Sequence, residues 1–486
     1  MTLLAINWPG VGLQAGYLIF SLSILVIVHE FGHFITAKWF KCRVEKFYLF
    51  FDPWFSIFKK KVGETEYGIG WLPLGGYVKI AGMVDESMDK EQMKQQPQPW
   101  EFRSKPAWQR LIILLAGVTM NVLLAFVIYA MVLYTWGETK LPVQDMKNGI
   151  WITDSLMSNI GLKNGDKIVA VNGEPVKYFE DLPGKILVGK TITVERNGKQ
   201  ETIDVPVNMI EQLIEQKRKR NTHFFQPRLP VIIGEFPRSK NKSTSGNETV
   251  YVDTRIKNSN TGPVNDSINE NRERLRKYDK IVAVDSTAVN YFDEMAPLLK
   301  KKKGDSVTLT VIRDGSPVKT RVLVDTSGTI GFYNINFLQA DSLGLLKIEN
   351  KKYSFLASFP AGVRETGKQL DFYIQQIKMI FNPETGAYKG LGGFKTMASI
   401  FPSTGWDWQV FWKITAFFSI ILAFMNLLPI PALDGGHVVF TVVEMITGRK
   451  PSDKFLEYAQ IVGMVLLFAL LIYANGNDWF GWGRGH

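Results

Sequence analysis

The stretch "VIVHEFGHFITAKWF", residues 26–40, puts two histidines and a glutamate at the end of a run that carries no charge over residues 1–28. Ionisable groups are costly in hydrocarbon, so within an apolar segment they are usually absent, reach for the interface, or serve a function. His29 and His33 are four residues apart. On a helix that spacing brings both imidazoles to one face about one turn apart, which suits two ligands of one metal ion. Glu30, three residues before the second histidine, is placed to take a proton from a nearby water. The pattern also arises by chance, and two histidines and a glutamate hydrogen-bonded between helices are the structural alternative. Its position inside a membrane-length segment favours the metal.

The apolar residues of this 486-residue chain are clumped. Segments 11–28, 111–136, 414–433 and 459–475 each approach the roughly 20 residues that cross a bilayer. The fold class expected is a polytopic α-helical membrane protein with four transmembrane helices, at 11–36, 108–136, 410–434 and 457–475, and a β-rich exported loop. A signal peptide is a poor reading of the first span, because no basic residue precedes it and no small-residue cleavage site follows. Lys38, Lys41, Arg43, Lys46, Lys59, Lys60, Lys61, Arg103 and Lys105 crowd the loop at 37–107, and Arg449, Lys450 and Lys454 the third loop. By the positive-inside rule both loops are cytoplasmic, and residues 137–412 are exported along with both termini. The net charge of +11 is then mostly a membrane-surface bias, and no nucleic-acid module is recognisable. Cys42 is the single cysteine, so no intrachain disulfide staples the exported region.

That region is β-rich and twice repeated. "KTITVERNG" (190–198) and "DSVTLTVIRDG" (305–315) alternate as strands do and end at Asn-Gly and Asp-Gly hairpin turns. "GLKNGDKIVAVNGEPV" (161–176) and "RLRKYDKIVAVDSTAV" (274–289) share Asp-Lys-Ile-Val-Ala-Val at an offset of 113 residues, an internal repeat. The pattern resembles two PDZ-like domains, at 143–237 and 248–337. Such domains add an extended peptide to a sheet edge; the plainer alternative is a pair of spacers. The polar stretch 237–248 reads as a flexible linker that lets the copies shift relative to each other. His223 reads as an ordinary surface histidine. Residues 354–381 place Val363, Leu370, Ile374, Ile377 and Ile380 at helical spacing, an amphipathic helix expected to lie on the membrane or pack under the repeats.

A catalytic zinc takes a third protein ligand and leaves a position for water. In "NLLPIPALDGGH" (426–437) a lone Asp434 ends the third apolar run behind two prolines. It fits the missing carboxylate, although a turn residue before Gly435-Gly436 is the structural alternative and His437 competes as ligand.

With both motifs in hand, the chain resembles the site-2 protease family of intramembrane zinc metalloproteases, in particular its regulator-of-sigma-E type with tandem PDZ-like domains. The resemblance covers nearly the whole chain, from His29-Glu30-Phe31-Gly32-His33 to Asn426–Gly435 of the NxxPxxxxDG motif. It implies Zn2+ held by His29, His33 and Asp434, Glu30 as general base, and Asn426 holding the substrate backbone. "LPLGGYVKIAG" (72–82) resembles a membrane-associated β-loop and "GLGGF" (390–394) the loop before the third span, which adds Gly75, Gly76, Tyr77, Gly392 and Gly393 as substrate contacts. "AGVTMN" (116–121) resembles the second span's Gly-Pro-x-x-Asn with Val118 in the proline's place, and adds Asn121. The implied function is hydrolysis of the transmembrane segments of single-pass membrane proteins, anti-sigma factors or remnant signal peptides. It would follow a first cut by an upstream protease, at the bacterial inner membrane, with the zinc near the cytoplasmic side and lipid as the other partner. A catalytically silent PDZ-type receptor is the alternative, against which the intact Glu30 argues. A transporter would need inverted repeats, and the four spans show none.

Overall fold

The computed structural model describes residues 8–73, 75–83, 96–215, 224–236, 271 and 274–483. The expected linker at 237–248 and His223 lie outside the described residues. The chain divides into two compact units, Glu138–Lys351 and the remainder.

In the larger unit, four helices among the described residues are long and apolar enough to cross a membrane: α1 (Trp8–Trp39), α2 (Ala107–Trp136), α4 (Trp408–Leu427) and α6 (Asp453–Phe480). α1 and α6 run several residues past the bounds 11–36 and 457–475. The third expected span, 410–434, is broken. α4 stops at Leu427 because Leu428 precedes Pro429 and takes an extended conformation, φ −62° and ψ 145°, as the residue before a proline is driven to do. After a short turn the chain enters α5 (Asp434–Thr447). Asp434 therefore opens a new helix and does not close a span. A Cβ at Gly435 would lie 2.4 Å from the Leu427 carbonyl and one at Gly436 2.4 Å from Pro431 Cα, so only glycines let the turn fold back so closely.

α2 is the hub, packed against α1, α4, α5 and α3 (Phe355–Phe381). The amphipathic segment at 354–381 thus forms a helix that packs on α2. Ser358, Ala361, Gly362 and Thr366 are its buried residues, and a Cβ at Gly362 would come 2.7 Å from the Ala130 nitrogen; small side chains permit this backbone approach. Between α1 and α2 lies a four-stranded sheet of order β2–β3–β1–β4, with β1 Val44–Leu49, β2 Phe51–Val62, β3 Thr65–Leu72 and β4 Tyr77–Ile80. Among the described residues β4 pairs on one side only, antiparallel to β1.

The unit Glu138–Lys351 carries the repeat into three dimensions. Each copy has a four-stranded sheet of the same connectivity. Both hairpins turn on two residues of positive φ, Asn197-Gly198 at 51° and 76° and Asp314-Gly315 at 50° and 80°, the geometry such turns require. The aspartate of the shared hexapeptide pairs with an arginine in each copy, Asp166 with Arg196 and Asp279 with Arg313.

The copies are not beads on a linker. Val231 and Ile233 lie in the core of the second copy, so that copy begins well before residue 248. Ile335, Ala340 and Leu346, which follow it, lie in the core of the first. Strand Ile233–Glu235 pairs with Tyr333–Asn334. Arg228, whose backbone N–H is bonded to Gly149 O of the first copy, donates to Asp293 and Glu294 of the second at 2.8 and 2.9 Å and lies 3.9 Å over the Tyr291 ring. Exchanged core residues and a largely buried ion pair hold the two copies together.

Candidate metal centre

On α1 the HExxH spacing brings His29 and His33 to one face, their ring centroids 4.9 Å apart and both side chains buried. The turn between α4 and α5 aims Asp434 at them. His29 Nε2 and His33 Nε2 lie 3.2 and 3.3 Å from Asp434 Oδ2 and 3.2 Å from each other. Three ligands set tetrahedrally at 2.0–2.1 Å from a zinc ion would be roughly 3.3 Å apart. His33 Nδ1 lies 2.8 Å from the carbonyl oxygen of Ile113; that oxygen can only accept, so Nδ1 holds the ring proton and Nε2 presents a lone pair. Among the described residues Asp434 Oδ2 is buried without a hydrogen-bond partner. With His29 Nε2 also unprotonated, electron pairs gathered at this spacing repel unless a cation sits between them. The donor set, its size and its orphaned oxygen fit a zinc ion held by His29, His33 and Asp434.

Close packing of α1 on α2 makes the cluster. A Cβ at Gly32 would lie 2.6 Å from the Ala116 oxygen, and one at Gly117 would lie 2.3 Å from His33 Nε2 and 2.7 Å from His29 Cε1. Glu30 is half-buried with its carboxylate close to His29, His33 and Asp434 and to the backbone of Val78 on β4. Gly76 explains how β4 comes so near: a Cβ there would meet Val26 Cγ1 at 2.6 Å, the Tyr48 oxygen at 2.7 Å and Glu30 Cγ at 3.4 Å. Gly75, at φ +151°, faces the Phe51 ring. Tyr77 donates to Asp52 at 2.8 Å and stacks on Tyr48; burial, with the bond to Asp52, pushes its hydroxyl pKa up. Asn426 Nδ2 comes within 3.2 Å of His29 Nε2, at the rim of the cluster.

The model of peptidase family M50 matches residues 17–470. The chain belongs to peptidase family M50. Peptidases of this family use Zn2+. The M50 chain is 25% identical to a putative zinc metalloprotease of Thermotoga maritima, over 95% of this chain and 98% of the relative. It is 26% identical to one of Treponema pallidum, over 94% and 96%. It is also 25% identical to the regulator of sigma E protease of Haemophilus influenzae, over 95% and 98%. With its apolar helices, this M50 peptidase is an integral membrane protein.

Of the expected substrate contacts, Asn121 lies at the cluster and Gly392 and Gly393 lie elsewhere in the fold. Asn121 is fully buried, and its amide nitrogen meets His29 Nδ1, on a candidate metal ligand, at 3.2 Å. Gly392 and Gly393 are not drawn to the cluster. Gly393 N–H donates to Asp478 near the end of α6 at 2.9 Å, and Gly392 packs on Thr396. Sequence reasoning missed Gly117 and the Ile113 carbonyl, although with Asn121 they recur every four residues along one face of α2. An alanine at Gly117 drives its methyl into both imidazoles. Gly117→Ala is therefore expected to weaken zinc binding by about 100-fold, as lost support around a metal does, and to lose cleavage with it. Chelator competition on the purified chain measures this, and wild-type affinity would mean that the rings have room to move aside.

Proposed function

We propose that the chain is an intramembrane zinc endopeptidase. It cleaves the transmembrane segments of single-pass membrane proteins, anti-sigma factors or remnant signal peptides, after an upstream protease has made a first cut on the exported side. The observation that carries this reading is the convergence of His29, His33 and Asp434 on one point, with Glu30 beside them and alongside them an edge of β4 that is unpaired among the described residues.

His29, His33 and Asp434 hold the zinc. When bound, zinc supplies Lewis-acid polarisation of the scissile carbonyl and makes a neighbouring water acidic enough to attack at neutral pH. Glu30 accepts that water's proton and passes it to the leaving amine. The edge of β4, near Gly75, Gly76 and Tyr77, takes up the substrate in extended form by strand addition. A helical substrate hides its carbonyls in hydrogen bonds, so it must be unwound before attack. The Asn426 amide, at the rim, donates to the substrate backbone. Loop charge sets the bacterial inner membrane orientation, with the zinc near the cytoplasmic side and residues 137–412 exported. The tandem copies are PDZ-like and act as a size filter, excluding substrates with a bulky exported domain.

The test follows a single-pass substrate and its pre-trimmed form in vesicles holding the purified chain, with product termini read by mass spectrometry. The trimmed form should be cut within its transmembrane segment and the full-length form spared. Cleavage confined to a soluble loop would reject the intramembrane assignment. A variant with the whole unit Glu138–Lys351 replaced by a flexible linker should cut both forms. If it still rejects the full-length form, the filter lies elsewhere. Replacing only 151–337 would strand the core residues Ala340 and Leu346.

A further inference from the structure

The proteolytic reading leaves Asn121 without a role. It is fully buried, its Oδ1 has no hydrogen-bond partner among the described residues, and its Nδ2 lies 3.2 Å from His29 Nδ1. If His29 binds metal through Nε2, the one proton of its neutral ring is on Nδ1 and needs an acceptor. An amide nitrogen facing it sets donor against donor. Turning the amide by half a rotation brings Oδ1 onto the Nδ1 proton, because the two ends of an asparagine amide occupy interchangeable positions. The oxygen then accepts the His29 Nδ1 proton, and the NH2 group takes the place that the oxygen held. Its neighbour shows the same design, since His33 Nδ1 is met by the Ile113 carbonyl, so both acceptors come from α2. Ser419 on α4 donates to the Asn121 backbone oxygen at 2.7 Å, tying this stretch of α2 to the helix that leads to Asp434.

We propose that Asn121 is a positioning residue: its side-chain oxygen accepts the His29 Nδ1 proton, fixing the tautomer and ring orientation that present Nε2 to the metal. The proposal rests on the zinc-site reading above. An acceptor behind a ligating histidine is commonly worth 10 to 100-fold in metal affinity.

The experiment uses the full chain in detergent and measures zinc dissociation constants by chelator competition, together with KM and kcat on a trimmed substrate. Asn121→Ala should bind zinc about 10 to 100-fold more weakly with KM little changed. Asn121→Asp, which keeps an acceptor, should hold zinc at least as tightly as wild type. Wild-type zinc affinity in Asn121→Ala overturns the proposal, as does equal loss in both variants, or a rise in KM with zinc affinity unchanged. Thermal unfolding of the metal-free variants separates weak binding from misfolding. Should both variants misfold, histidine 15N shifts of zinc-loaded wild type decide: a proton on Nδ1 of His29 agrees with the proposal, and one on Nε2 overturns it. If wild type itself binds no zinc, or Asp434→Ala binds it unchanged, the failure belongs to the zinc-site reading.

Discussion

Glu30→Gln is expected to lower cleavage of a trimmed membrane substrate by about 100 to 10,000-fold, the range that removal of a general base spans, while one zinc per chain is retained. Glutamine has nearly the shape of glutamate and keeps an oxygen for the backbone of Val78, but it cannot accept a proton at neutral pH. Because Glu30 stands beside His29, His33 and Asp434 and is not one of the three converging donors, the exchange leaves the metal's electron pairs in place. Paired measurements of turnover and metal content check this. Activity within tenfold of wild type would assign proton transfer to another group; loss of zinc along with activity would make Glu30 a ligand.

Asp434→Ala separates the roles in the opposite sense. Its carboxylate is the only negative charge among the three donors and the only one contributed from beyond α4. Without it two neutral imidazoles remain, both on α1, and two donors do not make a catalytic zinc site. Zinc content should fall to a small fraction of one per chain after dialysis against a mild chelator, and cleavage should vanish with it. Undiminished zinc in this variant would remove Asp434 from the coordination shell.

How much of this was legible depended on whether partners share an element. His29, Glu30 and His33 belong to one helix, where spacing alone dictates which side chains meet. Asp434 was legible as an unexplained carboxylate behind prolines, but its place at the start of α5 was not, because it depends on how tightly Gly435 and Gly436 fold back. The contact of Asn121 with His29 was not legible: helical periodicity says which residues share a face, and only packing says what that face meets. The repeat could be read from Asp-Lys-Ile-Val-Ala-Val, whereas the exchange of Val231 and Ile233 for Ile335, Ala340 and Leu346 could not, since an apolar residue carries no mark of which core it will enter.

That exchange also sets an order of events at birth. A chain is made from its amino terminus, and domains generally fold as units as they appear. Here the first copy is missing Ile335, Ala340 and Leu346 until the second has been synthesised in full. Until then its apolar interior stays open, and contacts this distant in sequence form slowly. The first repeat to be made is therefore the last to close, and a chain truncated between the copies should yield an unclosed fragment prone to aggregation.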